Sequence, residues 1–181
     1  MSLINKKVSV PKFLHELHGK EAKVYDILLV YTAALLSTIC LLYLVWDLPL
    51  KFYKFIVLGV LIADISGGVV SNFTKGTNDY YSESPKLRKV FISLHVVQPS
   101  LLVWIFPQDL SSIIIVSVYS LLTLIIVSSV RNTQKQRVLA VFFVLIGLLL
   151  TFVLVIHQPL VHIMLVLFLL KLTLAFAVDW K

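Results

Sequence analysis

The sequence predicts an all-α fold, a polytopic membrane bundle of six transmembrane helices, on three observations. The 181 residues are 59% hydrophobic and 14% charged, with a mean hydropathy of +0.97, whereas soluble domains run at roughly 45–50% apolar and about 25% charged. The apolar residues gather into six runs, 25–45, 52–70, 90–106, 110–130, 138–156 and 160–178, each near the ~20 residues a helix needs to cross a hydrocarbon core. None of the runs alternates apolar with polar residues as a barrel strand does, and backbone groups in lipid must bond within their own segment, so each run is expected to be a helix. A single transmembrane domain, 25–178, leaves a short N-terminal segment, 1–24, and a tail, 179–181.

The N-terminal segment reads as an amphipathic helix over 11–23. Pro11 suits a first-turn position, Phe13, Leu14 and Leu17 form an apolar stripe, and Lys12, Lys20 and Lys23 can meet lipid headgroups. The first apolar run is not followed by a small-residue cleavage site, so it is expected to stay as an uncleaved span.

Orientation follows from the basic residues. With a cytoplasmic N-terminus, the inner segments hold Lys6, Lys7, Lys12, Lys20, Lys23, Lys75, Lys86, Arg88, Lys89, Arg131, Lys135, Arg137 and Lys181, thirteen in all, against Lys51 and Lys54 outside. This asymmetry puts both termini in the cytoplasm, and the expected location is the bacterial plasma membrane. A net charge of +7 would suit nucleic acid on a soluble fold. Here the basic residues are scattered between spans, where they act as topology signals and headgroup contacts, so membrane lipids are the expected partners and nucleic acid is not.

The outer turns Pro107-Gln108-Asp109 and His157-Gln158-Pro159 are short enough to make antiparallel hairpins of spans three and four and of spans five and six. The longest connection, 71–89, is polar and inner, with Tyr80 and Tyr81 as an interfacial pair. Trp46, Trp104 and Trp180 fall near span ends, as an aromatic belt requires. Cys40, the single cysteine, lies in an apolar run, where packing is its expected role.

Ionisable groups inside spans are costly, by about 2.5–3.5 kcal/mol at the centre on insertion scales, so each is a candidate for function. Asp64, His95 and Lys171 all fall about 7–11 Å inside the inner boundary at ~1.5 Å per residue, with Asp26 closer to it. Turned inward, a carboxylate, an imidazole and an ammonium can pair, which lipid exposure would forbid. Asp64 and His95 are therefore the expected acid/base pair, and Lys171 the group that neutralises an anionic headgroup. The structural alternative is a simple Asp64–Lys171 ion pair.

Around Asp64, the small residues Gly59, Ala63, Gly67 and Ser71 recur every four positions, a ridge suited to helix packing or to a homo-oligomer or membrane partner. Gly67, Gly68, Asn72, Tyr80 and Tyr81 extend the candidate site toward the headgroup region. On span three, His95, Gln98 and Pro99 share one face, and Pro99 frees the carbonyl of His95, so a kink and a polar notch are expected there.

Other matches carry less. The histidines of His15-Glu16-Leu17-His18 are three apart, whereas the zinc-protease motif needs four, and no third ligand is evident, so neither a metal nor any cofactor is expected. The sequon Asn72-Phe73-Thr74 is silent on the inner side. In size, span number and inner termini the chain resembles the substrate-binding subunits of energy-coupling-factor vitamin transporters, a likeness of layout. Their alanine-xxx-alanine docking surface has no counterpart, because Ala33 and Ala34 are adjacent. The functions left open are binding of, or chemistry on, a lipid or amphiphile; small oligomeric transport with proton coupling through Asp64 and His95; and an accessory role in a membrane complex.

Overall fold

A computed structural model of the chain describes residues 3–180. Residues 1 and 2 of the N-terminal segment and Lys181 of the expected tail lie outside them. In chain order come a strand β1 (Lys7–Ser9), a 3-10 turn (Lys12–Leu14) leading into α1 (His15–His18), β2 (Glu21–Lys23), α2 (Val24–Tyr43), α3 (Phe52–Phe73), α4 (Lys75–Ser82), α5 (Pro85–Leu94), α6 (Val97–Ile105), α7 (Leu110–Ser129), α8 (Thr133–Val153) and α9 (Pro159–Leu169), which runs on as a π-helix, Leu170–Phe176.

Among the described residues five helices are long and apolar enough to cross a membrane: α2, α3, α7 with its preceding turn, α8, and α9 with its π extension. They make this an all-α membrane protein. The run expected as span three is divided between α5 and α6 at His95 and Val96. The cause is Pro99, in the first turn of α6, which has no N–H to give the carbonyl of His95. Upstream, α5 begins at Pro85, earlier than the apolar run, because the Ser84 hydroxyl accepts from the Leu87 amide at 3.4 Å and proline suits the first helical position.

The last span is the centre of the bundle, 61% buried, against 11% for α2. It packs on α3, α7 and α8, and its buried Leu160, Met164, Leu165, Leu169 and Leu172 form much of the core. α2 lies outermost, with Leu28, Leu35, Leu36 and Ile39 exposed. Cys40 lies on this exposed surface and does not pack in the interior. The small-residue ridge of α3 is met from within the chain. A Cβ at Gly67 would touch the Ala34 Cβ at 3.3 Å, and one at Gly59 the Leu42 side chain at 3.4 Å. α2 thus covers the ridge that the sequence offers to a partner.

The N-terminal segment differs from the expected helix over 11–23. The helix stops at His18 because Gly19 takes φ 73°, and Glu21–Lys23 pairs antiparallel with Lys7–Ser9. The turn is held down by the Ser71 hydroxyl and by the Thr77 hydroxyl at 2.7 Å, both donating to the Leu17 carbonyl. A Cβ on Gly19 would collide with the backbone of Gly76, so the two glycines let the segments touch. His18 is buried there against Tyr31, ring centroids 5.3 Å apart, with no partner for either nitrogen.

Polar contacts join the helices at both ends. At one end Lys20 pairs with Glu83 at 2.6 Å, Arg88 donates to Ser128 at 3.1 Å, and Gln136 donates to the Val130 carbonyl at 2.6 Å. At the other, Lys54 donates to the Trp104 carbonyl at 2.8 Å. There the buried carboxylate of Asp109 also accepts from the His157 amide at 2.6 Å and lies 2.9 Å from its ring nitrogen, clasping the two short hairpins together.

Two predictions follow from these contacts. Asp109→Ala, which strips the His157 amide of its acceptor, is expected to cost about 1–3 kcal/mol, while His157→Ala keeps the amide bond and costs less. Thermal unfolding in detergent measures both, and equal costs would contradict the clasp. Burial holds the pKa of His18 below its ordinary 6.5, against a smaller upward pull from Asp26. Since the undocked state then binds more protons, docking of the N-terminal segment should weaken as pH falls through about 6.5. Limited proteolysis, normalised to an unstructured peptide, should accelerate at acid pH in the wild type and not in His18→Phe.

Candidate functional site

Along α3, Val57, Leu61, Asp64, Gly68, Ser71 and Asn72 recur at helical spacing on one face. Across from them stand Phe91 and Leu94 of α5, His95 at the break, and Gln98 and Leu101 of α6. Between the two rows lies a cavity of about 750 Å³, backed by Lys171 and capped by Phe13, Glu16 and Leu17. The broken helix creates the space. The cavity has polar lining from Asp64, His95, Gln98, Asn72 and Glu16, and an apolar length whose rim residues Ile56, Val60, Leu94 and Val97 are exposed at the side of the bundle.

Lys171 reaches the cavity from the π segment. Its side chain is 3% exposed, and its ammonium donates to the Asp64 carbonyl at 3.2 Å and to Asp64 Oδ2 at 3.3 Å. It passes over Gly68, where a Cβ would collide with its Cε and stand 2.8 Å from Nζ. That glycine is therefore a notch for the lysine stem. Gln98 Nε2 donates to the same Oδ2. Asp64 thus ties α3, α6 and the π segment that continues α9 together through one oxygen. Its other oxygen, Oδ1, has no partner among the described residues, and the side chain is half exposed.

His95 is held otherwise than the sequence suggests. Its Nδ1 lies 2.7 Å from the Phe91 carbonyl, which only accepts, so the hydrogen belongs on Nδ1 and Nε2 is left as an acceptor. The ring lies 3.8 Å from that of Phe91, which stacks on Phe176 at 3.7 Å, and Tyr81 meets both phenylalanines edge-on. Burial pushes the Tyr81 phenol well above its ordinary pKa, keeping it neutral. Among the described residues His95 Nε2, Gln98 Oε1 and Asn72 Nδ2 are buried with no hydrogen-bond partner.

Seven of the expected site residues line this cavity: Asp64, Gly68, Asn72, Tyr81, His95, Gln98 and Lys171. Three do not. Gly67 faces α2, and Asp26 and Tyr80 line a separate polar cavity of about 280 Å³ with Lys20, Lys75, Asp79 and Glu83. Two expected roles also change. Lys171 is occupied by Asp64 and is not presented to a headgroup, and His95 makes no hydrogen bond to Asp64. The cap comes from Phe13, Glu16 and Leu17, and the 71–89 connection contributes Ser71, Asn72 and Tyr81 to the cavity wall. The sequence signal for that cap was the apolar stripe of the N-terminal segment. His15 is bound to the Val10 carbonyl at 2.9 Å, and no group of three His, Cys, Asp or Glu gathers as a metal site among the described residues.

Compared with protein-family models, with curated proteins and with solved structures, the chain matches none. The geometry of this cavity therefore carries the functional reading alone.

The Gly68 notch gives a direct test. Gly68→Ala forces the Lys171 stem aside and is expected to cost about 1–3 kcal/mol, but much less in a Lys171→Ala background. A double-mutant cycle by thermal unfolding measures the coupling, and additive costs would show that the notch and the lysine act independently.

Proposed function

We propose that the chain is a six-span membrane protein that binds, or acts chemically on, a lipid or amphiphile entering sideways from one leaflet. α5 and α6 together make the third crossing as a discontinuous helix, a break tolerated in lipid where it lines a cavity. Both termini are cytoplasmic and the protein resides in the bacterial plasma membrane. The concentration of Lys and Arg in 6–23, 75–89 and 131–137, with only Lys51 and Lys54 at the opposite end, supports that orientation. The Lys12–His18 turn, with exposed Phe13, lies along the inner surface.

The observation that carries the reading is a half-exposed carboxylate, Asp64, in a groove whose rim at Ile56, Val60, Leu94 and Val97 is exposed and apolar. An amphiphile places its chain along Val60, Val97 and Leu101 and its polar group at Asp64. If chemistry follows, His95 Nε2 is the base available to it. A transport path finds less support. Between this site and the Asp109 clasp the interior is closed by Leu58, Ile62, Ile113 and Met164, each fully buried.

Native mass spectrometry of protein released from lipid nanodiscs tests the reading. Val57→Trp with Leu101→Trp, which fills the groove, should reduce retained lipid roughly tenfold. A control, Ile126→Trp on the exposed face of α7, should not. Equal retention in all three proteins would contradict it.

A further inference from the structure

Resting on the amphiphile reading above, we infer that the ligand's polar group is an uncharged hydrogen-bond donor, a free hydroxyl, and not a phosphate. The argument comes from what the site has left to offer. Among the described residues the one cation that lines the groove, Lys171, already gives its ammonium to the carboxylate and carbonyl of Asp64, and its side chain is 3% exposed. An arriving anion would meet Asp64 before it met the lysine. With the charges of Asp64 and Lys171 already cancelling and the exposed carboxylate of Glu16 the further charge at the cap, an anionic headgroup would gain no counter-charge in a low-dielectric setting and its desolvation would go uncompensated, while a cationic one would be drawn to Glu16 at the mouth and not to Asp64.

The uncommitted hydrogen-bonding atoms point the same way. Asp64 Oδ1 is the accessible one, and it accepts. On the same cavity, His95 Nε2 and Gln98 Oε1 also accept, the first because Nδ1 carries the hydrogen toward Phe91 and the second because it is the carbonyl oxygen of an amide whose Nε2 is spent on Asp64. Against these three acceptors, and the exposed Glu16 carboxylate at the cap, the lining residues offer as donors Asn72 Nδ2 and the Tyr81 hydroxyl. A phosphate or carboxylate brings only acceptors and would leave all three unmet, whereas a hydroxyl donates one bond and accepts one. Asp64 Oδ1 takes the hydroxyl proton's bond first. The single proton serves one acceptor at a time, so modest rotation of His95, whose Nε2 is now buried, offers that bond an alternative to Asp64 Oδ1, and the hydroxyl oxygen accepts from Asn72 or Tyr81. Two sources share this chemistry: a diacylglycerol and a single-chain alcohol.

The test uses the wild-type full chain in phosphatidylcholine nanodiscs with photoactivatable probes of matched chain length: a diacylglycerol, its methyl ether, a long-chain alcohol, a phosphatidic acid and a long-chain amine. Labelled peptides are mapped by mass spectrometry. The expected result is labelling of the α3 and α6 groove residues by the diacylglycerol or the alcohol at least about tenfold above the methyl ether and the phosphatidic acid. Whichever hydroxyl probe labels more strongly identifies the source. His95→Phe, which keeps a ring beside Phe91 but removes the acceptor, should shrink the difference between hydroxyl and ether several-fold. If the ether labels the groove as well as the hydroxyl probes, or the phosphatidic acid or amine labels it best, the hydroxyl inference falls while the amphiphile reading stands. If no probe labels the groove above the exposed face of α7, both fall.

Discussion

A lysine ammonium buried in an apolar bundle must be given its counter-charge inside the bundle, and in this protein the requirement is met by one oxygen of Asp64. Breaking such a pair by removing one partner costs about 3–5 kcal/mol in known cases, because the other charge is left buried alone. The pair therefore constrains more than two side chains. Lys171 sits on the most buried helix, Asp64 on α3, and Gln98 on α6 binds the same oxygen. Three helical segments that are distant in sequence are held together by a single carboxylate.

The departures from regular helix cluster around that carboxylate. The π segment carries Lys171, the Pro99 break lies beside His95 and Gln98, and Gly68 supplies the notch through which the lysine passes. Elsewhere the crossings are unbroken α-helix with apolar surfaces. Irregular backbone in lipid is tolerated where protein or a cavity satisfies it, and π turns are frequent at functional sites. The opposite end of the bundle shows a contrasting arrangement, in which the buried Asp109 carboxylate clasps the hairpin turns through the backbone and ring of His157.

Much of this was legible in the residues. Long apolar runs place the helices within a few positions, because span length is set by the thickness of the bilayer and leaves little freedom. The convergence of Asp64, His95 and Lys171 followed from their shared depth and the cost of facing lipid with a charge. The partner of each atom was not legible. Whether Asp64 binds His95 or Gln98 turns on helix rotation by a fraction of a turn, and on Pro99 splitting the crossing, which moves His95 to the end of one helix and Gln98 to the start of the next. The cap of Phe13, Glu16 and Leu17 was hidden for a different reason. It depends on the Leu17 carbonyl meeting Ser71 and Thr77, a contact between segments far apart in sequence that no local periodicity reports. Tyr80 and Tyr81 separate because neighbours on the short helix α4 point to different sides, one toward His15 and one into the phenylalanine stack.

The pairing at the centre of this account can be measured in a bilayer. Solid-state NMR of protein carrying 15N at lysine side chains and 13C at aspartate carboxyls reports N–C dipolar dephasing, and Asp64→Asn or Lys171→Met identifies the signal. The 3.3 Å contact between Lys171 Nζ and Asp64 Oδ2 predicts strong dephasing of one lysine resonance that disappears in either variant. A Lys171 resonance with no carboxyl neighbour, unchanged by Asp64→Asn, would contradict the account.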